Sequence, residues 1–183
     1  GSLSLLPFLW FVATSLKSAA EVTAIPPTIF PSFHWSAYRS AIQDYGFLKY
    51  MKNSALVAAA TTVLTILIAA PAGYALARFR FPASRLCLML FLIVSMFPQI
   101  AIAGPVWRIL NGAGALNTLY GLIAVYSSLS LPLAVWILTT FFKELPVEVE
   151  EAAQVDGLTR WQTLTRIVFP MAAPGIFTAA LLV

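Results

Sequence analysis

The sequence predicts an all-α fold, a polytopic transmembrane helical bundle, and three observations carry that prediction. Of the 183 residues, 60% are hydrophobic and only 10% are charged, against about 45–50% and about 25% in soluble globular domains. The charges also cluster, leaving residues 53–77, 86–107 and 109–142 free of Asp, Glu, Lys and Arg. Each of these stretches is long enough for a helix to cross a hydrocarbon core, which takes about 20 residues. Finally, Cys87 is the only cysteine, which excludes a disulfide scaffold. Low polarity excludes a disordered chain, and 18 charged residues are too few to solvate the surface of a one-domain soluble enzyme. The net charge of +4 fits basic loops beside anionic headgroups and does not require nucleic acid.

Taken in order, Leu3 to Leu16 is apolar but short for a span, without the basic start of a signal peptide. It reads as the end of a transmembrane helix. Met171 to Val183 is apolar to its last residue, so the chain reads as a fragment with about five of six spans. Ile25 to Trp35 (IPPTIFPSFHW) carries three prolines and three aromatics, the composition of a connector at headgroup level. Ser36 to Tyr50 has helical spacing through Tyr38, Ile42 and Tyr45 and predicts a short interfacial helix. The second span begins at Asn53–Ser54 and runs to Ala77, with Pro71 and Gly73 near its end. It meets a tight basic loop, Arg78 to Arg85. The third span runs from Leu86 to about Ala103, with Pro98 and Pro105 bracketing a kinked exit and Arg108 in the following loop. The fourth covers Leu119 to Phe142.

Residues 143–166 hold five of the seven acidic residues. Pro146 suits a helix start, Glu148, Glu150 and Glu151 suit its first turns, and Gly157 suits a left-handed cap. Thr159 and Gln162 have capping-box spacing, so a second helix follows, placing Trp161, Leu164 and Val168 on one stripe and stopping at Pro170. Two short helices joined by a glycine corner, with small residues Ala152 and Ala153 on the first, form a surface that a soluble partner's groove could accept. A plain connector between spans has the same local chemistry.

The motif Glu151-Ala152-Ala153, then Gly157, Ile167 and Pro170 at family spacing, resembles the EAA loop of permease subunits in binding-protein-dependent ABC importers. One position departs: Phe169 stands where leucine is usual. Asn53-Ser54, Gly73 to Pro82 (GYALARFRFP), Met96-Phe97-Pro98, Gly114 to Thr118 (GALNT) and Glu150 to Gly157 (EEAAQVDG) are similar to maltose-type carbohydrate permeases. The resemblance implies one transmembrane domain over 1–183 with the ABC type I importer permease fold, containing a cytoplasmic EAA coupling loop at 143–170. It implies ATPase coupling through Glu150, Glu151, Ala152, Ala153, Asp156, Gly157, Ile167 and Pro170. It also implies a second permease, two ATP-binding cassette subunits carrying ATP and magnesium, and an extracytoplasmic sugar-binding protein. The expected location is the plasma membrane of a bacterium or archaeon.

The remaining candidates are few. No phosphate-binding glycine loop and no Ser-His-Asp or Cys-His set can be assembled, so this chain is expected to be non-catalytic and to hold no cofactor or metal of its own. His34, the only histidine, reads as structural and Arg108 as a snorkelling side chain or a substrate contact. Ser95, Gln99, Ser127, Ser128 and Ser130 are polar within spans. They could line a sugar pathway or pack between helices. A permease for another solute, a membrane-embedded enzyme and a passive channel are the rival functions. Expected topology puts Arg80 and Glu151 on one side of the membrane and His34 on the other.

Overall fold

A computed structural model of the chain describes residues 3–25, 33–79 and 82–183. Among these residues every regular element is helical and none is a strand. The central part of the proline-rich connector, residues 26–32, and Arg80 of the basic loop lie outside the described residues. The chain divides into two compact units, Gly1–Ser54 and Ala55–Val183.

In the first unit a 3-10 turn (Leu3–Leu5) leads into α1 (Leu6–Ser15). A capping box formed by Ser18 and Glu21 opens α2 (Ala19–Val22), with Ser18 N–H donating to the Glu21 carboxylate at 2.9 Å. The Ser15 and Tyr38 hydroxyls lie 2.6 Å apart, and the Lys17 ammonium sits 4.6 Å from the centre of the Trp10 ring. The expected interfacial helix is shorter than its periodicity indicated. It is α3 (Ser36–Gln43), and Gly46 then adopts φ +61°, a conformation that side chains with a Cβ resist. Residues from Phe47 onward already belong to α4 (Phe47–Arg78), which therefore starts six residues before the Asn53 of the sequence reading.

α4 is unbroken through Pro71. Its buried stripe, Val57, Thr61, Thr65, Ala69, Ala70, Gly73 and Tyr74, repeats at the spacing of one helix face. α5 (Ser84–Ser95) follows, and here the expected continuous span to Ala103 is corrected. The helix stops at Ser95, a 3-10 turn (Gln99–Ile102) and α6 (Ala103–Gly112) follow, and the axis bends by 88°. Pro98 lacks an N–H and crowds the residue before it out of the helical region. Arg108 is consequently an exposed residue within α6 rather than in a loop. Thr118 caps α7 (Leu119–Glu144), its Oγ1 accepting from Gly121 N–H at 3.1 Å.

After α7 come α8 (Val147–Val155), α9 (Arg160–Thr163), a π-helical turn (Leu164–Val168), α10 (Phe169–Met171) and α11 (Ala173–Leu182). The helix after Thr159 ends within one residue of Pro170, at Met171, where the axis bends by 74° into α11. Proline removes one donor at position 170, and the wider π turn just before it accommodates the lost bond. Of the expected stripe, Leu164 and Val168 are buried while Trp161 is 65% exposed. The core joins Ala69, Ala70 and Tyr74 of α4 to Val135, Leu138 and Phe142 of α7 and to Leu164, Val168, Ala172 and Ala179 beyond the loop. Backbones approach closely at two glycines: a Cβ on Gly73 would lie 3.1 Å from Leu138 Cβ and from Thr139 N, and one on Gly175 would strike the Phe141 ring. Small residues at helix contacts are what association inside lipid favours. α4 and α7 are each long and apolar enough to cross a membrane, and the bent pairs 84–112 and 160–182 pass the same test as broken spans.

Candidate functional site

The site is assembled where α4 and α7 end. Leu145 and Pro146 turn the chain out of α7; Pro146 (φ −59°, ψ 128°) is the residue just before α8. α8 ends at Val155 with Asp156 as its C-cap, and Gly157 takes φ +85° with open space around the place of a Cβ. Gly157 N–H still reaches the Gln154 carbonyl, and Leu158 N–H the Ala153 carbonyl, at 3.1 and 3.0 Å. Thr159 N–H donates to Gln162 Oε1 at 2.8 Å while Gln162 N–H donates to Thr159 Oγ1 at 3.3 Å, the reciprocal capping box that the spacing predicts. Four residues, 156–159, separate α8 from α9, and both helix ends at the joint are capped locally. The corner is stiffened because each backbone N–H from Asp156 to Thr159 has a hydrogen-bond partner.

The sequence-predicted loop residues divide between two faces. Glu151, Ala152, Asp156, Gly157 and Pro170 are exposed, and Ile167 is half-buried in the π turn. Val155, at 87%, and Trp161 are exposed as well. Glu150 and Ala153 face the other way and are 5% and 3% exposed. Glu150, grouped by sequence with the partner-facing residues, is therefore turned inward. Its Oε1 accepts from Arg78 Nε at 2.6 Å and its Oε2 from the Tyr74 hydroxyl at 2.7 Å. Arg78 Nη2 also donates to the Leu145 carbonyl at 2.9 Å, placing a cation at the electronegative C-terminus of α7. Around this polar set, Phe142 meets the Tyr74 ring edge-on at 5.8 Å and stacks on Phe169 at 6.3 Å, and the Arg160 guanidinium lies 5.4 Å from the Phe79 ring centre.

Tyr74 and Arg78 are the residues that reasoning from sequence missed as site members. Their spacing of four puts them on one face of a helix end, which is the signal available; the carboxylate they hold is 72 residues from Arg78 and 76 from Tyr74.

The five polar span residues are only partly brought together. Ser95, Gln99 and Ser128 border one cavity of about 180 Å³, together with Phe97, Ile102 and Leu129. Ser95 and Ser128 donate their hydroxyls to the carbonyls of Leu92 and Ala124, both at 2.7 Å, which leaves their oxygen lone pairs to accept. Ser127 faces away from this cavity lining: its hydroxyl is buried without a hydrogen-bond partner among the described residues, as are those of Thr61 and Thr65. Ser130 is half-buried and does not border the cavity. A second, apolar cavity of about 320 Å³ between α6 and α7 shares Ile102, Ser128 and Leu129 with the first.

Comparison with known proteins adds to this geometry. The family model described as "Binding-protein-dependent transport system inner membrane component" matches residues 69–183. The chain is similar to the sulfoquinovosyl glycerol transport system permease of Agrobacterium fabrum, 41% identical over 97% of this chain and 63% of that one. It is similar also to the trehalose transport system permease of Mycobacterium tuberculosis (38%; 98% and 65%) and to the trehalose/maltose transport system permease of Thermococcus litoralis (35%; 98% and 65%). The chain thus spans just under two thirds of the length of these relatives. A solved chain from a bacterial ABC transporter involved in the import of the acidic polysaccharide alginate superposes with a TM-score of 0.82 over 98% of this chain and 63% of its own length, at 23% identity. At that identity the likeness shows the fold.

Proposed function

The chain belongs to the family of inner membrane components of binding-protein-dependent transport systems, and from that premise we propose that it serves an ATP-driven carbohydrate importer as one of two permease subunits. In this reading it forms half of the translocation pathway of a bacterial or archaeal plasma membrane. A second permease completes the pathway. Two ATP-binding cassette subunits, with their ATP and magnesium, seat the loop 143–170 in the cytoplasm, and an extracytoplasmic binding protein delivers the sugar.

The observation that carries the reading is the α8–Gly157–α9 corner. A short helix that presents Glu151, Ala152 and Val155 outward and is joined to the next helix by a fully capped turn moves as a lever, not as a tether. Closure of the ATPases displaces α8, the corner passes that displacement to α9–α11, and the bundle alternates its opening between the two sides of the membrane. The hydroxyls and amide of Ser95, Gln99 and Ser128 offer a neutral polyol acceptors and a donor along the wall of one cavity. The sugar class is favoured by the sugars and sugar derivatives in the names of the three relatives above.

The test is reconstitution with the partner permease, the ATPases and the binding protein in vesicles loaded with ATP. Sugar uptake that needs both ATP and the binding protein supports the reading. Uptake of a different solute alone would move the chain to another branch of the family. Solute flux down a gradient without ATP would make it a channel.

A further inference from the structure

Resting on the coupling reading above, we propose that Glu150, gripped by Arg78 and Tyr74, is a positioning residue that makes α8 and the last turns of α4 move as one body. The displacement of α8 then enters the bundle along two routes, through the Gly157 corner and through α4.

Three elements meet at one guanidinium. Arg78 closes α4, bonds Glu150 of α8 at 2.6 Å and bonds the Leu145 carbonyl behind α7 at 2.9 Å, and Tyr74 adds a 2.7 Å bond one turn further in. The side chains of Arg78 and Glu150 are only 11% and 7% exposed, so solvent does little to weaken the grip. Both carboxylate oxygens are engaged, and Phe142 and Phe169 pack beside Tyr74. A buried ion pair is a poor way to gain stability, because removing two charges from water costs about as much as their attraction returns. Its fixed geometry is what an apolar pair of the same volume would not supply. α4 is continuous through Pro71, so a shift of its end is passed to its buried stripe, Val57 to Tyr74. Glu151, the very next residue, is exposed. One helix therefore carries a carboxylate for the outside and, 100° around, a carboxylate for its own bundle.

The experiment uses the assembled transporter with Cys87→Ser and spin labels at Ala77→Cys on α4 and Gln154→Cys on α8. The wild-type pair should give one distance that is the same in the nucleotide-free and ATP-trapped states. Glu150→Gln keeps the shape and removes the charge. It should shift or broaden that distance in the ATP-trapped state and lower the sugar taken up per ATP hydrolysed by about fivefold or more, the lower range for coupling between sites. Both readouts are ratios or geometries of folded complex, so a lower yield of protein does not mimic them. If either stays at its wild-type value in folded Glu150→Gln, the pair is a structural contact only and the proposal is overturned. Should Glu150→Gln not assemble, Tyr74→Phe, which deletes one hydroxyl, is held to the same two readouts in the same direction. A wild-type transporter that takes up no sugar would defeat the functional reading, whereas the label distance decides this proposal for any solute.

Discussion

Pro71 and Pro98 both interrupt apolar helical sequence, yet one passes unnoticed and the other turns the chain by 88°. Their own chemistry is identical: no N–H, and a ring that crowds the preceding turn. Their surroundings differ. Ala69, Ala70 and Gly73 beside Pro71 are buried against α7, and that packing holds the helix across the missing bond. Beside Pro98, Met96 is 83% and Ile100 85% exposed, and residues 93–101 are all exposed among the described residues, so little packing there opposes the break. Pro132, buried within α7, behaves like Pro71. The lesson is that the end of the bundle carrying α4, α7 and residues 143–170 is fixed by its neighbours, while the α5–α6 break follows local backbone preference.

Removing the packing should break this contrast most severely. Phe142, fully buried between Tyr74 and Phe169, should cost about 3 kcal/mol as Phe142→Ala, at the low end for such cavities because lipid reduces the transfer term. Unfolding in mixed detergent micelles measures it, and a loss below a third of that would mean the packed end is not what holds α4 and α7 together. Gly157→Val comes next. Its open surroundings remove any clash, so the cost is the positive φ alone, about 1–2 kcal/mol. The expected signature is near-normal membrane level with uptake sharply reduced, and uptake at the wild-type rate would reduce the corner to a connector. Thr159→Ala deletes half of the capping box and should destabilise by about 1 kcal/mol, read in the same micelles. Ile100→Ala at the break should change stability by less than about 0.5 kcal/mol. A loss comparable with that of Phe142→Ala would show that the break is packed as tightly as the α4–α7 end.

What could be read in the sequence follows the same division. Gly157, Thr159 and Gln162 announce their geometry because capping is decided within four or five residues, and long charge-free stretches announce helices because lipid leaves the backbone no other partner. The end of α5 was harder: proline marks a weak point, but whether it gives way depends on packing from elements far along the chain. Glu150 and Glu151 were indistinguishable as letters. A helix rotates by about 100° per residue, and only the position of Arg78, 72 residues away, decides which carboxylate turns inward. The early start of α4 at Phe47 is of the other kind: residues 47–52 are exposed, and the positive φ of Gly46 just before them is a local signal.

The arginine that closes α4 has a history as well as a position. A chain is made from its N-terminus, so Arg78 leaves the ribosome before Glu150 exists, by a lag of roughly 4–14 s at about 5–20 residues per second. Throughout that interval its guanidinium is an unneutralised cation at the end of an apolar segment, the form in which arginine resists translocation and holds a helix end on the cytoplasmic side. When residue 150 arrives the same group is taken into the 2.6 Å pair and ceases to count as surface charge. In the orientation proposed above, the arginine that would hold this helix end during insertion is an internal fastening in the finished fold, its side chain only 11% exposed.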